Sequence, residues 1–386
     1  MNLLVLSHKE LWRDSSSPSG YSTVGGFPFQ MKALAELFDE TVIMATEHST
    51  PTPSGAIPLT GNHLRVEALP APAGKDARRK LDLLFWLPRN LPRMWKAARA
   101  ADVIHTPVGG DVGTIGIFIA LAQRKRLFVR HCGTWGTPAS TADAWLQKFL
   151  ELIASPQCAV FATGGAATPP SRKNPNIQWI FSTSLTQAEL DSLPKARARN
   201  LNEPLQLIFS GRLAPAKNVQ NILEALPLIH EKIPAAQIHL LGAGESRPAL
   251  EARASALHIA DAVHFHGNVS HEEVMKALAQ SHCFVFPSAR EGFPKSVLEA
   301  LACGLPVVAS NTSVIPQLLS NGCGVVLPDV SPQAIAQAVL NLAAQPQDAW
   351  RRMSALAMES ARRYALEAWG AAIGARLRAA WGELKK

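Results

Sequence analysis

The sequence predicts an α/β protein with two doubly wound parallel sheets. Short apolar runs typical of buried strands alternate with longer amphipathic stretches typical of helices along the whole chain. The chain has 386 residues, enough for two domains with full cores. Pro194–Pro204, which contains Lys195, Arg197 and Arg199, predicts a linker between the two halves.

The first half begins with a predicted strand over Met1–Ser7 and a polar loop at 12–20. A glycine pair, Gly25 and Gly26, then opens a helix. A strand, a glycine loop and a helix can together bind phosphate, because the free amides and the dipole at a helix N-terminus favour anions. A glycine pair is also common in ordinary tight turns, so both interpretations stay open here.

His131 follows another predicted strand, Arg126–Arg130, and lies close to Gly133. Ligands of open parallel sheets bind at the carboxyl ends of the strands, so His131 is a candidate ligand contact. The alternative is a structural histidine hydrogen-bonded to a loop carbonyl.

The segment 75–99 has eight basic and two acidic side chains, interleaved with Phe85, Trp86 and Trp95. This composition suits an anionic membrane surface or a phosphorylated lipid acceptor. A solvated helix whose aromatic residues face the core would look the same. Although the net charge is +8, no nucleic-acid-binding motif accompanies it, so nucleic acid is not expected as a partner.

The five cysteines form no Cys-x-x-Cys pair, and we expect them to be reduced core residues. The first apolar run is too short for a signal peptide, and no apolar run reaches the length of a membrane span. We therefore expect a cytoplasmic protein, soluble or peripheral on the inner face of the membrane.

The second half begins with a predicted strand over Leu205–Ser210. Arg212 and Lys217 follow this strand and precede a helix predicted over Val219–Ile229. Two cations at this edge of a sheet can neutralise a departing diphosphate. Cations that are merely solvated at the surface are the alternative.

Two later strand ends give weaker signals. Gly242 begins a Gly-Ala-Gly turn, and Gly267, Asn268 and Val269 follow a strand that contains two histidines. A lone Gly-x-Gly is more typical of a turn than of a ligand site. The two histidines, at positions 264 and 266, are expected to be structural.

The most informative stretch is Phe286–Ser310, which predicts a strand end, a loop, a helix over Lys295–Cys303 and a further strand. Glu291 lies in the loop, and Glu299 lies within the apolar helix. A buried carboxylate without partners is costly, so Glu299 should have dedicated hydrogen-bond donors. A structural ion pair or the hydroxyl groups of a ligand could supply them.

Glu291, seven intervening residues and Glu299, followed by Ala-Leu-Ala-Cys-Gly-Leu-Pro-Val-Val-Ala-Ser, resemble the signature of retaining glycosyltransferase family 4. The resemblance implies the GT-B fold, in which two Rossmann-like domains face each other across a cleft. An acceptor-side domain would span 1–195, with a last helix at about 365–386 packing back on it. A nucleotide-sugar-binding domain would span 205–364.

The resemblance also implies roles. Glu291 would contact the donor sugar, Glu299 the ribose, Arg212 and Lys217 the diphosphate, and His131 the primary hydroxyl of the sugar. The expected catalytic residues are Glu291, Arg212, Lys217 and His131. The expected donor-binding residues are Glu299, Gly292, Phe293, Lys295, Ser296, Gly25, Gly26, Gly267, Asn268, Val269 and Gly242.

The implied activity is transfer of a sugar from a UDP-sugar or GDP-sugar to a sugar or lipid-linked sugar acceptor. Bacterial-type polysaccharide or glycolipid assembly would use such a reaction. We expect no cofactor and no metal, because the cations and helix amides would neutralise the leaving group and the chain has no Asp-x-Asp. The alternatives are a nucleotide-sugar epimerase or a phosphorylase on the same fold, or a non-catalytic partner subunit.

Overall fold

The computed structural model describes residues 1–53, 55–74, 76–193 and 203–385. The chain divides into a first domain, which joins Met1–Ser184 to Leu366–Lys386, and a second domain, Leu185–Ala365. The sequence had led us to expect residues 185–193 in the first domain, whereas the structure places them in the second. Most of the predicted linker, 194–202, lies outside the described residues.

Strands and helices alternate along the chain, as predicted. The strands are β1 (Asn2–Arg13), β2 (Tyr21–Thr23), β3 (Glu40–Glu47), β4 (Ile57–Pro58), β5 (Leu64–Val66), β6 (Leu69–Pro70), β7 (Val103–Val108), β8 (Arg126–His131), β9 (Cys158–Thr163), β10 (Ile177–Ile180), β11 (Gln206–Ser210), β12 (Gln237–Leu241), β13 (Val263–Gly267), β14 (Cys283–Phe286), β15 (Val307–Ser310) and β16 (Gly324–Leu327). The α-helices are α1 (Phe27–Ala35), α2 (Asp76–Ala100), α3 (Asp111–Ala122), α4 (Thr141–Ile153), α5 (Gln187–Ser192), α6 (Val219–His230), α7 (Arg247–Ala256), α8 (His271–Gln280), α9 (Lys295–Ala302), α10 (Ile315–Leu318), α11 (Pro332–Ala343), α12 (Gln347–Arg362) and α13 (Leu366–Trp381). Short 3-10 helices cover Pro215–Lys217 and Ala260–Ala262.

The first-domain sheet has a parallel centre in the order β10, β9, β8, β7, β1, β3. This centre agrees with the predicted parallel sheet, and at its margin the short strand β2 pairs antiparallel with β1 and β4. The expected polar loop at 12–20 also begins later than predicted. The first strand continues to Arg13 because Leu11 and Trp12 are buried and Trp12 pairs with Ser22 of β2.

Both faces of this sheet are covered. Successive strand residues point to opposite faces, so Leu3 and Val5 of β1 enter one core, while Leu4 and Leu6 enter the other. The first core is closed by α1 and α13, and Trp369 of α13 is fully buried there. The second core is closed by α2, α3 and α4.

The second-domain sheet is parallel throughout, in the order β13, β12, β11, β14, β15, β16. The winding changes direction between β11 and β14. In open parallel sheets this switch point leaves a crevice at the carboxyl ends of the two strands, where ligands bind.

The basic segment forms the long helix α2. Trp86 and Met94 are buried against the sheet, whereas Leu84 and Phe85 are about two-thirds exposed, at 66% and 64%. The alternative of a solvated helix whose aromatic residues face the core therefore describes Trp86 but not Phe85. Within the described ranges, no helix combines the length and the apolar character needed to cross a bilayer.

All five cysteines are free thiols. Four are buried as expected, and burial raises the pKa of Cys158, Cys283 and Cys323 to about 12. Cys132 is exposed, so the expectation of a core position is wrong for this residue. It follows the last residue of β8, where the chain leaves the sheet.

Candidate functional site

Two loops meet at the switch point of the second domain. The loop after β11 carries Lys217, and the loop after β14 carries Glu291. The Asn218 side-chain amide donates a hydrogen bond to the Pro287 carbonyl at 2.9 Å. The amide of Ala289 donates to the carbonyl of Ala216 at 2.8 Å. These bonds hold the two loops in fixed register.

Lys217 and Glu291 form an ion pair at this junction. Their side chains are only 20% and 11% exposed, and the Lys217 ammonium lies 5.2 Å from the ring centroid of Phe286. Partial burial strengthens such a pair relative to one at the surface. The sequence predicted a ligand role for both residues but not their contact with each other.

Next to this junction lies a cavity of about 440 Å³. It is formed by residues that follow β11, β12 and β13, together with the side of α8. The lining residues are Ser210, Gly211, Arg212, Leu241, Gly242, Ala243, Asn268, Val269 and Val274. Four predicted ligand residues, Arg212, Gly242, Asn268 and Val269, are therefore brought together.

The floor of this cavity is made of backbone. The amide of Gly242 donates to the carbonyl of Gly267 at 2.7 Å, and the amide of Gly211 donates to the carbonyl of Leu241 at 2.9 Å. Gly242 has a φ of +128°, and a Cβ there would lie 2.0 Å from the Gly211 oxygen. Only glycine fits, because a side chain would push the first two loops apart. Gly267 supports the floor and does not line the cavity.

Arg212 reaches the cavity with its side chain exposed. Among the residues that the structure describes, its guanidinium has no hydrogen-bond or ion-pair partner. Such a group presents a planar set of donors that suits the oxygens of a phosphate.

Glu299 lies on α9 with its side chain 15% exposed. Burial raises its pKa, against the opposing charges of His271 and Lys295. Within the described part of the chain no donor forms a hydrogen bond to this carboxylate. The contact with the Nδ1 atom of His271 is 3.9 Å, too long for one. The donors that the sequence led us to expect are thus not supplied by the described residues.

His271 is the functional candidate that the sequence did not single out. It begins α8, where Ser270 and Glu273 form a capping box that fixes the start of the helix. Its Nε2 atom lies 3.0 Å from the Oε1 atom of Glu189 on α5. This hydrogen bond raises the pKa of His271, and the charge of Glu299 acts in the same direction. The capping box was visible in the sequence, whereas the two carboxylate neighbours were not.

The loop between β14 and α9 ends at Pro294, the residue that caps the helix. The carbonyl of Gly292 accepts a hydrogen bond from the Ser313 hydroxyl at 2.7 Å. The amide of Lys295 donates to the carbonyl of Phe293 at 3.0 Å, so it is already engaged within the protein. The amide of Ser296 lies in the first helical turn, where N–H groups have no intrahelical acceptor.

In the first domain, Gly25 and Gly26 form the turn before α1, as predicted. Gly25 has a φ of +77°, which favours glycine, and Gly26 is the residue that precedes the helix. The positive φ explains Gly25 without a ligand, and the contact of either glycine with a donor stays a prediction.

His131 ends β8 with its side chain only 2% exposed. Its Nε2 atom lies 2.8 Å from Oδ1 of Asp143, so its partner is a carboxylate and not the loop carbonyl of the structural alternative. Burial acts to raise the pKa of Asp143, but hydrogen bonds, that from His131 foremost, lower it overall. Asp143 also accepts from the Ala139 amide, which fixes the loop after β8. The Nδ1 atom of His131 has no hydrogen-bond partner in the described structure.

The predicted residues therefore form two groups. The second domain holds the Lys217–Glu291 pair, the Arg212 cavity and Glu299, and the first domain holds the glycine turn and His131.

Comparison with known proteins identifies relatives of the part of the chain that holds the second-domain residues. Residues 194–358 match the family model described as Glycosyl transferases group 1. Over these residues the chain is similar to glycosyltransferases of group 1, which confirms the resemblance to family 4. The match covers the switch point and both predicted glutamates.

Relatives of the chain include two bacterial enzymes. The GDP-mannose-dependent alpha-(1-6)-phosphatidylinositol monomannoside mannosyltransferase of Mycolicibacterium smegmatis is 31% identical over 189 residues, which cover 46% of this chain and 48% of the relative. The glycogen synthase of Mycobacterium tuberculosis is 31% identical over 163 residues, which cover 42% of this chain and 39% of that protein. The chain thus matches less than half of the length of either relative.

Solved structures match over nearly the whole chain. Anabaena Alr3699/HepE in complex with UDP-glucose superposes with a TM-score of 0.69 at 16% identity, covering 98% of this chain and 100% of that one. The sucrose-phosphate synthase of Thermosynechococcus elongatus gives a TM-score of 0.69 at 19% identity and covers 98% of each chain. These likenesses confirm the prediction of a GT-B fold with two Rossmann-like domains.

Proposed function

We propose that this family 4-like protein transfers a sugar from a nucleotide diphospho-sugar to an acceptor hydroxyl, with retention of the anomeric configuration. The observation that carries the proposal is the half-buried Lys217–Glu291 pair at a sheet switch point, beside a cavity that Arg212 enters. Two cations and a carboxylate suit a ligand with a diphosphate and sugar hydroxyls.

Donor recognition would use both glutamates. Glu291 would accept hydrogen bonds from sugar hydroxyls, and Glu299 would accept them from the ribose. The absence of a protein donor to Glu299 in the described residues supports this assignment, because hydroxyl groups of a ligand would complete the bonding of the carboxylate. Asn268 and Val269 line the cavity where the base would lie.

Transfer breaks the bond between the anomeric carbon and the β-phosphate oxygen, and the electron pair stays on the diphosphate. Arg212 and Lys217 would stabilise this charge, as groups placed where charge develops do. The acceptor oxygen forms the new bond to the anomeric carbon on the same face. Its proton passes to the departing phosphate oxygen, so no side chain is assigned as a base. We infer that the reaction uses no cofactor and no metal.

His131 would hydrogen-bond the primary hydroxyl of the donor sugar through Nδ1, the ring atom without a protein partner. Asp143 accepts a hydrogen bond from the Nε2–H group of His131. This bond fixes the tautomer in which Nδ1 of His131 carries no proton and can accept a hydrogen bond. This makes Asp143 a positioning residue for His131.

The proposed donors are UDP-sugars and GDP-sugars. The relative from Mycolicibacterium smegmatis is GDP-mannose-dependent, and the Anabaena structure contains UDP-glucose. We propose a sugar or a lipid-linked sugar as acceptor, and polysaccharide or glycolipid assembly as the pathway class. The experiment is a panel of UDP-sugars and GDP-sugars assayed for nucleoside diphosphate release with and without acceptor.

Release that depends on acceptor, with a product of unchanged anomeric configuration by NMR, is the expected result. A donor that is isomerised but not cleaved would instead indicate the epimerase alternative. Binding of nucleotide without any turnover across the panel would indicate a non-catalytic subunit.

We further propose that the protein is cytoplasmic and peripheral on the inner membrane face through α2. This helix exposes Leu84 and Phe85 together with Arg89, Arg93 and Lys96. Flotation with vesicles of phosphatidylglycerol and phosphatidylcholine is the test. Binding at low salt that weakens at high salt is expected, and failure to float at low salt would contradict this part of the proposal.

A further inference from the structure

The first domain contains a second cavity, of about 640 Å³, of which the proposed transfer uses only His131 and Asp143. It lies at the carboxyl ends of β7 and β8, between the first turns of α3 and α4. Its lining residues are Val108, Gly109, Gly110, Asp111, Thr114, Phe118, His131, Gly133, Ala139, Ser140, Ala142, Asp143, Trp145, Leu146 and Phe149. Its volume is that of a small-molecule site.

One wall of this cavity is aromatic and exposed to water. Phe118 is 57% exposed and Trp145 is 74% exposed, and the ring of Phe118 stacks on Phe149 at 5.5 Å between centroids. Exposed aromatic side chains that converge on a concave surface are typical of a site that an apolar ligand covers. The wall therefore favours a hydrocarbon group.

The opposite side of the cavity is polar. His131 and Asp143 are hydrogen-bonded to each other there, and both line the cavity. A ligand that fills it would place hydroxyl groups near the imidazole and carboxylate and an apolar group against Phe118 and Trp145. The lining thus fits an amphipathic molecule better than a free sugar.

The helix α2 begins beside the rim of the cavity. The Nε atom of Arg79 lies 2.9 Å from Oδ2 of Asp111, so one of the two carboxylates that line the cavity is paired. The other end of α2 lies away from the cavity, because the Gln123 side chain, just after α3, donates to the Trp95 carbonyl at 3.0 Å. The polar end of a ligand would therefore meet His131 and Asp143.

We propose that the cavity holds the apolar chain of the acceptor, and that the acceptor is a sugar joined to a hydrocarbon or isoprenoid chain. The proposal rests on the proposed glycosyl transfer and selects the lipid-linked class of acceptor from the two that it allowed. The chain lies against Phe118, Trp145 and Phe149, and the receiving hydroxyl lies on the side of His131.

The probes are n-octyl phosphate and n-decyl phosphate below their critical micelle concentrations, with inorganic phosphate as the headgroup alone. Titration calorimetry on the full chain gives each Kd. Burial of each methylene should tighten binding about fourfold until the cavity is filled, whereas inorganic phosphate should bind far more weakly.

Matched variants distinguish the cavity from the general surface. Trp145→Ala should weaken decyl phosphate about tenfold or more, since an aromatic anchor is lost. Leu152→Ala changes a residue on the same helix that is 82% exposed and lies outside the cavity, and it should have no effect. Ala142→Trp should fill the cavity and abolish binding, and Thr141→Trp, just outside the lining, should not.

Equal effects of Trp145→Ala and Leu152→Ala, or an affinity that does not depend on chain length, would overturn the proposal in favour of unspecific adsorption. A dimer in sedimentation that Trp145→Ala dissociates would overturn it in favour of a contact between two copies of the chain. Titration with UDP and GDP reports the second-domain site separately. Normal nucleotide binding without alkyl phosphate binding would end this proposal and leave the proposed function intact.

Discussion

Replacing Lys217 by methionine separates the structural role of its ion pair from its role at the diphosphate. The change keeps the packing of the apolar stem and removes the charge. Loss of one partner costs about 3–5 kcal/mol in a fully buried pair and about 0–1 kcal/mol at the surface. With Glu291 only 11% exposed and Lys217 20% exposed, the cost should lie between these limits. We expect a loss of about 2 kcal/mol, which corresponds to a lower Tm by roughly 4–8 °C for a domain of this size.

The same variant should lose much more activity than stability explains. We expect kcat to fall by about 10²–10³, as it does when one group that stabilises developing charge is removed. The double variant Lys217→Met/Glu291→Gln leaves no unpaired charge, so the Tm should largely recover while the activity stays low. Lys232→Met, at an exposed cation of the same domain, serves as the control.

Differential scanning calorimetry and nucleoside diphosphate release measure the two quantities on the same samples. Recovery of activity along with stability in the double variant would refute the reasoning, because Lys217 would then act only as the partner of Glu291. A kcat for Lys217→Met within about threefold of the unmodified protein would refute it as well.

Three further variants test the second domain. Glu299→Gln should raise the KM for the donor about tenfold or more. The Tm at pH 8 should not fall, because burial raises the pKa of this carboxyl and thus disfavours its charged form in the folded protein. A lower Tm with an unchanged KM would assign Glu299 a structural role. His271→Gln should flatten the pH dependence of the free energy of unfolding measured in urea. The pKa of His271 is raised above the ordinary 6.5, so this residue adds stability that is fully present below pH 6.5 and is lost as pH rises through the folded-state pKa. An unchanged slope would contradict this. Gly242→Ala should abolish nucleotide binding measured by calorimetry, because its Cβ would lie 2.0 Å from the Gly211 oxygen. Gly322→Ala controls for backbone strain, because Gly322 also has a positive φ but a Cβ there would meet nothing within 4 Å.

Local patterns were sufficient to predict the framework of the second domain. The apolar run at β14, the proline and glycine of the next loop and the helix formers after Pro294 each act over a few residues. They therefore placed Glu291 in a loop and Glu299 in a helix correctly. The shared edge of the parallel sheet explains why the Lys217 and Glu291 loops meet, although their contact with each other was not predicted.

Contacts between distant segments were beyond such patterns. His271 and Glu189 are 82 residues apart, and their meeting depends on α5 packing with the second domain, for which the sequence has no local signal. The carboxylate partner of His131 was not foreseen for the same reason, since Asp143 lies on the following helix and approaches through the packing of α4. The extent of β1 was set by pairing with β2, which periodicity within one strand cannot report.

The order in which the elements occur along the chain has a consequence for biosynthesis. Trp369 and Trp381 of α13 complete the core that begins with Leu3 and Val5, and the indole N–H of Trp381 donates to the Pro156 carbonyl at 2.8 Å. Translation must therefore produce the whole second domain before the first can close. Until α13 leaves the ribosome, the face of the first sheet that it covers stays open to water and to chaperones.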